Sequence, residues 1–227
     1  MKKGFTLAEV LITLVVIGVI ASFTIPTIIN AQNDKEVLAR LKKSYSALSQ
    51  VMMTTQALNG SFTDWGMQDN NTASIEYTFN NYILPYIKNM KKCINTSGCW
   101  TNDKTKAFDG NGYASTAFDT GMGQNNITFI LNDGSFVSMD IYGDDIDEVF
   151  GITENTAFPT LTFAVDINGD KGPNQVGKDV FFFVQTKNGL VPAGKDNASA
   201  RCYTGANGGY AGYDCAAKVL KTGSVQY

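Results

Sequence analysis

The chain of 227 residues can hold one domain with a sizeable core, and is short for two. Its 18 basic and 21 acidic side chains leave a net charge of -3, too little to recruit nucleic acid or anionic lipid over the whole surface, so no specific nucleic-acid binding is expected. With no histidine, hydrolysis by a histidine-activated serine or cysteine is excluded. No spacing of aspartates and glutamates marks out an acid and base pair either, and the chain is not expected to be an enzyme. Its four cysteines, Cys93, Cys99, Cys202 and Cys215, are an even set that fits an oxidising compartment.

The beginning is the most informative stretch. From Gly4 to Asn33 the only charged side chain is Glu9, and the apolar run FTLAEVLITLVVIGVIASFTI covers Phe5 to Ile25. As a helix this run measures about 32 Å, enough to cross a hydrocarbon core of about 30 Å. Lys2 and Lys3 in front of it should hold the N-terminus in the cytoplasm, with the remainder exported. An ordinary secretory signal has a shorter apolar run and no carboxylate within it. A carboxylate inside lipid costs a few kcal/mol unless it has a partner. Cleavage between Gly4 and Phe5 would supply one, because the new α-amino group is positive and lies near the Glu9 of a staggered neighbour.

Gly4, Phe5, Thr6, Leu7, Glu9 and the apolar run that follows resemble the class III signal of type IV pilins and type II secretion pseudopilins. The resemblance implies that a prepilin peptidase cuts after Gly4, that Phe5 becomes N-methylated, and that Glu9 guides subunit docking. Gly18 and Pro26 fall where that family tends to carry helix-weakening residues. The implied fold is α+β and pilin-like, a long N-terminal helix packed through its C-terminal half against an antiparallel sheet. The corresponding division is a leader at 1–4, a transmembrane and filament-core segment at 5–30, and a head at 31–227 that includes the amphipathic half of the helix.

Beyond Pro26, which should bend or loosen the rod, Leu38, Leu41, Tyr45, Leu48 and Met52 recur in steps of three and four and share one helical face. Asn59-Gly60 is the expected end. A short helix is expected at 75–90, kinked at Pro85, with Lys88, Lys91 and Lys92 near its C-terminus. Strands are expected at 126–131 and 135–141 around the turn Asn132-Asp133-Gly134, then at 160–165 and 180–186, with a short segment at Leu190-Val191. Phe181, Phe182 and Phe183 read as strand packing. The acidic cluster Asp140, Asp144, Asp145, Asp147 and Glu148 reads as a solvated loop.

The loop from Asp166 to Asp179 is the best candidate for a ligand. Asp166, Asn168 and Asp170 alternate like the first ligands of an EF-hand, but Lys171 and Gly177 stand where that motif needs glycine and glutamate. A complete EF-hand is therefore rejected. A smaller structural Ca2+ site completed by backbone carbonyls and Asp179 stays open beside a plain Asx-rich turn. The resemblance adds that major pseudopilins carry a calcium loop in the C-terminal part of the head. Four cysteines permit three pairings, of which the sequence-local one, Cys93 with Cys99 and Cys202 with Cys215, is the simplest. The second loop resembles the disulfide-bounded C-terminal region of type IV pilins, and its Tyr203, Tyr210 and Tyr213 suit either adhesion or pinning the loop to the sheet.

Two functions follow from the resemblance. One is a subunit of a surface pilus; the other is a pseudopilin of the periplasmic type II secretion piston. Both imply a prepilin peptidase, an inner-membrane assembly platform and a homo-oligomeric or mixed filament as partners. Both also imply a single-pass inner-membrane precursor that ends in an extracellular pilus or a periplasmic pseudopilus.

Overall fold

A computed structural model describes residues 4, 6–87, 91–93, 98–100, 105–112, 126–143, 145–153, 157, 159–197 and 201–227. Leu7–Asn59 forms one unbroken helix, α1, of 53 residues, with Pro26 inside it. At 1.5 Å per residue it is roughly 80 Å long. It ends at the expected place, where Gly60 turns to φ +81° and its amide closes on Gln56 O at 3.0 Å. The two halves of α1 differ as the sequence suggested. Leu11, Val15, Ile17, Phe23, Ile25 and Ile28 are exposed, whereas Leu41, Ser44, Leu48, Met52 and Thr55 are buried against the head.

The head carries a six-stranded antiparallel sheet whose spatial order equals its chain order. The strands are β1 (Lys91–Cys93), β2 (Asn126–Ile130), β3 (Phe136–Tyr142), β4 (Thr160–Asp166), β5 (Val180–Thr186) and β6 (Gly189–Pro192). The Asn132-Asp133-Gly134 turn closes β2 onto β3, with the Leu131 amide donating to Ser135 O at 2.9 Å and Ile130 opposite Phe136. This is the α+β, pilin-like arrangement expected from the sequence.

Three local expectations need correction. Helix α2 (Thr72–Thr78) runs into a π-turn at Phe79–Ile83 and a 3-10 turn at Leu84–Tyr86, so the helical stretch ends with the Pro85 turn and does not reach residue 90. Lys91 and Lys92 therefore belong to β1 and have no helix end to compensate, while Lys88 lies outside the described residues. The acidic cluster is not one solvated loop. Asp140 is partly buried on β3, and Asp147 and Glu148 occupy the first turn of α3 (Ile146–Phe150), where the helix dipole favours negative charge. Asp145 precedes α3 at φ +53°, and Asp144 lies outside the described residues.

The sheet is covered on both faces, which the sequence reading did not foresee. Every residue of β4 and β5 is buried. Side chains alternate across a strand, so Phe181 and Phe183 join the α1 face while Phe182 joins the opposite one. Tyr45 on α1 stacks on Phe183 at 5.2 Å and donates its hydroxyl to Leu190 O at 2.9 Å. On the far face Phe182 stacks on Tyr213 at 4.1 Å, with Phe150 of α3 alongside. Burial of each such ring contributes about 2 to 3 kcal/mol. The far cover is carried by the segment before α4 (Cys215–Thr222), which the Cys202–Cys215 disulfide fastens. A second disulfide joins Cys93 of β1 to Cys99. Loop entropy assigns roughly 2 to 3 kcal/mol to each bridge.

Candidate functional site

Two places carry the residues singled out above. At the first, Thr6 caps α1. Its hydroxyl accepts from the Glu9 amide at 3.3 Å, and Glu9 Oε2 accepts from both the Thr6 amide and the Thr6 hydroxyl at 2.8 Å. This reciprocal pair satisfies helix N-terminal donors that nothing else in an apolar surround could satisfy. The T-x-x-E spacing that produces it is visible in the sequence, yet Thr6 was not recognised there as the partner of Glu9. Gly4 is exposed, and Phe5 lies outside the described residues.

The second place is the β4–β5 connection. Asp166, at the end of β4, is fully buried, and its Oδ1 accepts from the amides of Asn168 at 3.1 Å and Gly169 at 3.0 Å. Asp179, one residue before β5, is also buried. Its Oδ1 accepts from the Gln175 amide at 2.6 Å, and its Oδ2 from the Asn174 amide at 2.8 Å and from Asn168 Nδ2 at 3.2 Å. The remaining Asn168 Oδ1 is buried with no hydrogen-bond partner among the described residues. Burial first, and the Asp179 charge second, push the Asp166 carboxyl up to about 8. Burial raises Asp179 as well, against the hydrogen bonds that favour its charged form. Asp170 is exposed at the rim and adds a further negative charge that raises Asp166. The loop thus gathers Asp166, Asn168 and Asp179, leaves Asp170 outside, and recruits Asn174 and Gln175 through their backbone, which side-chain spacing does not reveal.

Cys202, Asp214 and Cys215 also converge, with candidate ligand atoms within 4.8 Å of one another, but the two sulfurs are joined in a disulfide and are not thiolates. Nothing in that donor set is specific to calcium, whose ligands are oxygens. Of the three tyrosines in the same region, Tyr213 is buried in the sheet cover, while Tyr203 and Tyr210 are exposed.

A carboxylate that the sequence did not distinguish is Asp140. Burial, with the charge of Asp69 as the second cause, pushes it up to about 7, and its Oδ1 has no hydrogen-bond partner among the described residues. The folded chain therefore keeps a proton that the unfolded chain has lost above pH 4. The contribution of Asp140 to stability should fall as pH rises from about 4 to 7, by on the order of 2 to 4 kcal/mol, and level off above. Asp140→Asn should abolish this part of the slope and melt higher than wild type above pH 7. Denaturant midpoints at several pH values test this; parallel profiles for the two proteins would refute it.

The long helix, its capped N-terminal carboxylate and the sheet packed on its second half define a helix-anchored subunit of the type IV pilin and pseudopilin class. In agreement, residues 1–25 match the prokaryotic N-terminal methylation motif. The chain belongs to a family of unknown function (DUF6613), whose model matches residues 27–227. No curated protein and no solved structure matches the chain. Helix α1 contains a segment long and apolar enough to cross a membrane.

Proposed function

We propose that this chain is a structural subunit of a type IV pilus-like filament, cut by a prepilin peptidase between Gly4 and Phe5, methylated at Phe5, and assembled through the apolar half of α1. The observation that carries this reading is the mismatch between helix and head. Residues 22 to 33 of α1 are exposed without exception, as are the large apolar side chains before them, and an uncovered apolar rod of that size needs lipid or other rods around it. Glu9 is its only charge and stands at its tip. Before assembly, residues 5–30 would span the inner membrane with the head, 31–227, on the outer side. Afterwards the rods would form the core of an extracellular pilus. Intact mass of the protein recovered in sheared filaments should correspond to a chain starting at methylated Phe5. Retention of residues 1–4 in filaments, or absence of the protein from them, would overturn the proposal.

The second reading, a pseudopilin of the periplasmic type II secretion piston, is favoured by the β4–β5 loop. Asp166, Asn168 and Asp179 offer only oxygen donors, and the buried Asn168 Oδ1 has no partner among the described residues. Such a set fits a hard divalent cation such as Ca2+. Asp170 at the rim would add attraction more than a ligand. A cation there would offset the burial that raises both carboxyls and the Asp179 charge that raises Asp166 further. Calorimetric titration of the full-length protein in detergent should show calcium binding that Asp166→Asn and Asp179→Asn each weaken at least tenfold and Asp170→Asn weakens less. No heat in the wild type would leave the loop as a turn. Secretion lost on deletion while surface fibres persist would select the piston over the pilus.

A further inference from the structure

Asp34 is where the bare half of α1 first meets the head: residues 22 to 33 are exposed and Asp34 is half-buried. Its carboxylate is engaged by the other end of the chain. Ser224 donates its hydroxyl to Oδ2 at 2.7 Å, and the Val225 amide reaches Oδ1 at 3.4 Å. The same tail is gripped from the opposite side by the β4–β5 loop. Lys178 Nζ donates to Val225 O at 2.6 Å, and the Tyr227 hydroxyl donates to Gly177 O. The Tyr227 ring rests 5.2 Å from Phe108, with the Lys178 ammonium 4.8 Å from its centroid.

Gly177, Lys178 and Asp179 are consecutive, so two of them hold the tail while the third sends its carboxylate into the proposed cation site. A groove of about 370 Å³ lies between neck and loop, with Val37 and Arg40 on one wall and Asn168, Pro173 and Asp179 on the other. Asn168 and Asp179 thus stand in its wall, with the Asn168 Oδ1 and the Asp179 carboxyl buried just behind it.

We infer that cation uptake by the Asp166–Asp179 loop and the seating of the tail Ser224–Tyr227 on the Asp34 neck are one coupled equilibrium, by which the cation sets how firmly the head is held to its filament helix. The inference rests on the reading of this loop as a divalent-cation site. A cation bridging Asp166, Asn168 and Asp179 fixes the backbone from 175 to 179, and with it the two groups that hold the tail. The ordering cost of the tail is then already met in part, so tail and cation each favour the other. Coupling of this kind is reciprocal: whatever factor the cation adds to tail seating, the tail adds to cation affinity.

The test uses the full-length protein in detergent, titrated with calcium chloride. Hydrogen exchange read by mass spectrometry should show the 223–227 peptide, and the α1 peptide around Asp34, slowed at least fivefold by saturating calcium. Asp34→Asn, and separately Ser224→Ala, should weaken calcium affinity about three- to tenfold while leaving the circular dichroism of the head unchanged. Calcium bound with wild-type affinity by both variants, with tail exchange unchanged, overturns the coupling and leaves the cation site standing. No calcium heat in the wild type overturns both. Calcium binding that slows the tail in the wild type, and slows it less in Asp34→Asn, supports the coupling.

Discussion

Glu9→Ala should leave the precursor in the membrane and cleaved, and should reduce its recovery in filaments by tenfold or more. Insertion survives because the substitution removes the one polar cost in the apolar run. Cleavage survives because Gly4 and Phe5 are untouched. Assembly fails for two reasons that the geometry separates. Thr6 loses the two bonds that its amide and hydroxyl donate to Glu9 Oε2, while its hydroxyl can still accept from the residue 9 amide, so the loss is about 1 kcal/mol or less. The larger loss is the charge itself. On the proposed processing, the Phe5 ammonium would enter an apolar bundle, and a buried charge without a counter-charge costs several kcal/mol more than a paired one. Glu9→Gln distinguishes the two terms, because it can keep an oxygen for Thr6 and loses only the charge. If Glu9→Gln assembles normally while Glu9→Ala does not, capping alone matters. Normal filament yield from a processed Glu9→Ala protein sinks the pairing account.

Gly194→Ala should be the most damaging small substitution in the head, costing roughly 3 to 5 kcal/mol. Gly194 sits at φ +84°, and a Cβ there would lie 2.0 Å from the carbonyl oxygen of Asp214 and 2.9 Å from its carbon. Those are backbone atoms, so no side-chain rotation relieves the clash. Retreat is blocked from the other side as well, because the Gly194 amide donates to Phe150 O at 2.6 Å and the adjacent Ala193 carbonyl accepts from the Ala217 amide at 3.0 Å. The substitution therefore pushes apart β6, α3 and the start of α4 together. Gly223→Ala is the control. Its φ is +75° and its ψ +15°, in the left-handed helical region, and the nearest atom to the added methyl is the end of the Leu38 side chain at 3.4 Å, so it should carry only the conformational cost of about 1 kcal/mol. Urea unfolding of the two variants should separate them by 2 kcal/mol or more, and equal midpoints would show that the close approach to Asp214 yields easily.

What the sequence made legible was whatever depends on near neighbours. The 3.6-residue stripe from Leu41 to Met52, the Asp-Gly turn and the β-branched and aromatic runs of β2 to β5 all signal within a few residues, and each element lies where that signal put it. β1 has only three residues and its alternation is invisible among lysines; only its partner strand defines it. The burial of Asp140 comes from the strands that flank it, and the charge that adds to its shift comes from distant Asp69, so an acidic run looked solvated when one member was not. In the β4–β5 loop the carboxylates were readable from their spacing, but the backbone donors from Asn174 and Gln175 come from the path of the turn. The grip of the tail on Asp34 spans 190 residues, a separation at which no local pattern speaks.

A sheet whose strand order repeats the chain order also has a history. Each strand from β2 onward finds its partner in the one made just before it, so the head can grow by successive hairpins while the rest of the chain is still being synthesised or delivered. No strand waits for a distant one, and few non-local loops must close before contacts repay them. The exception is the last step. Ser224 and Tyr227 follow every strand of the sheet in the chain, and they bind to the neck of α1 and to the β4–β5 loop, both already in place. The sheet can thus form before the clasp at its neck closes, so the joint between head and rod is fastened only after the head has its shape.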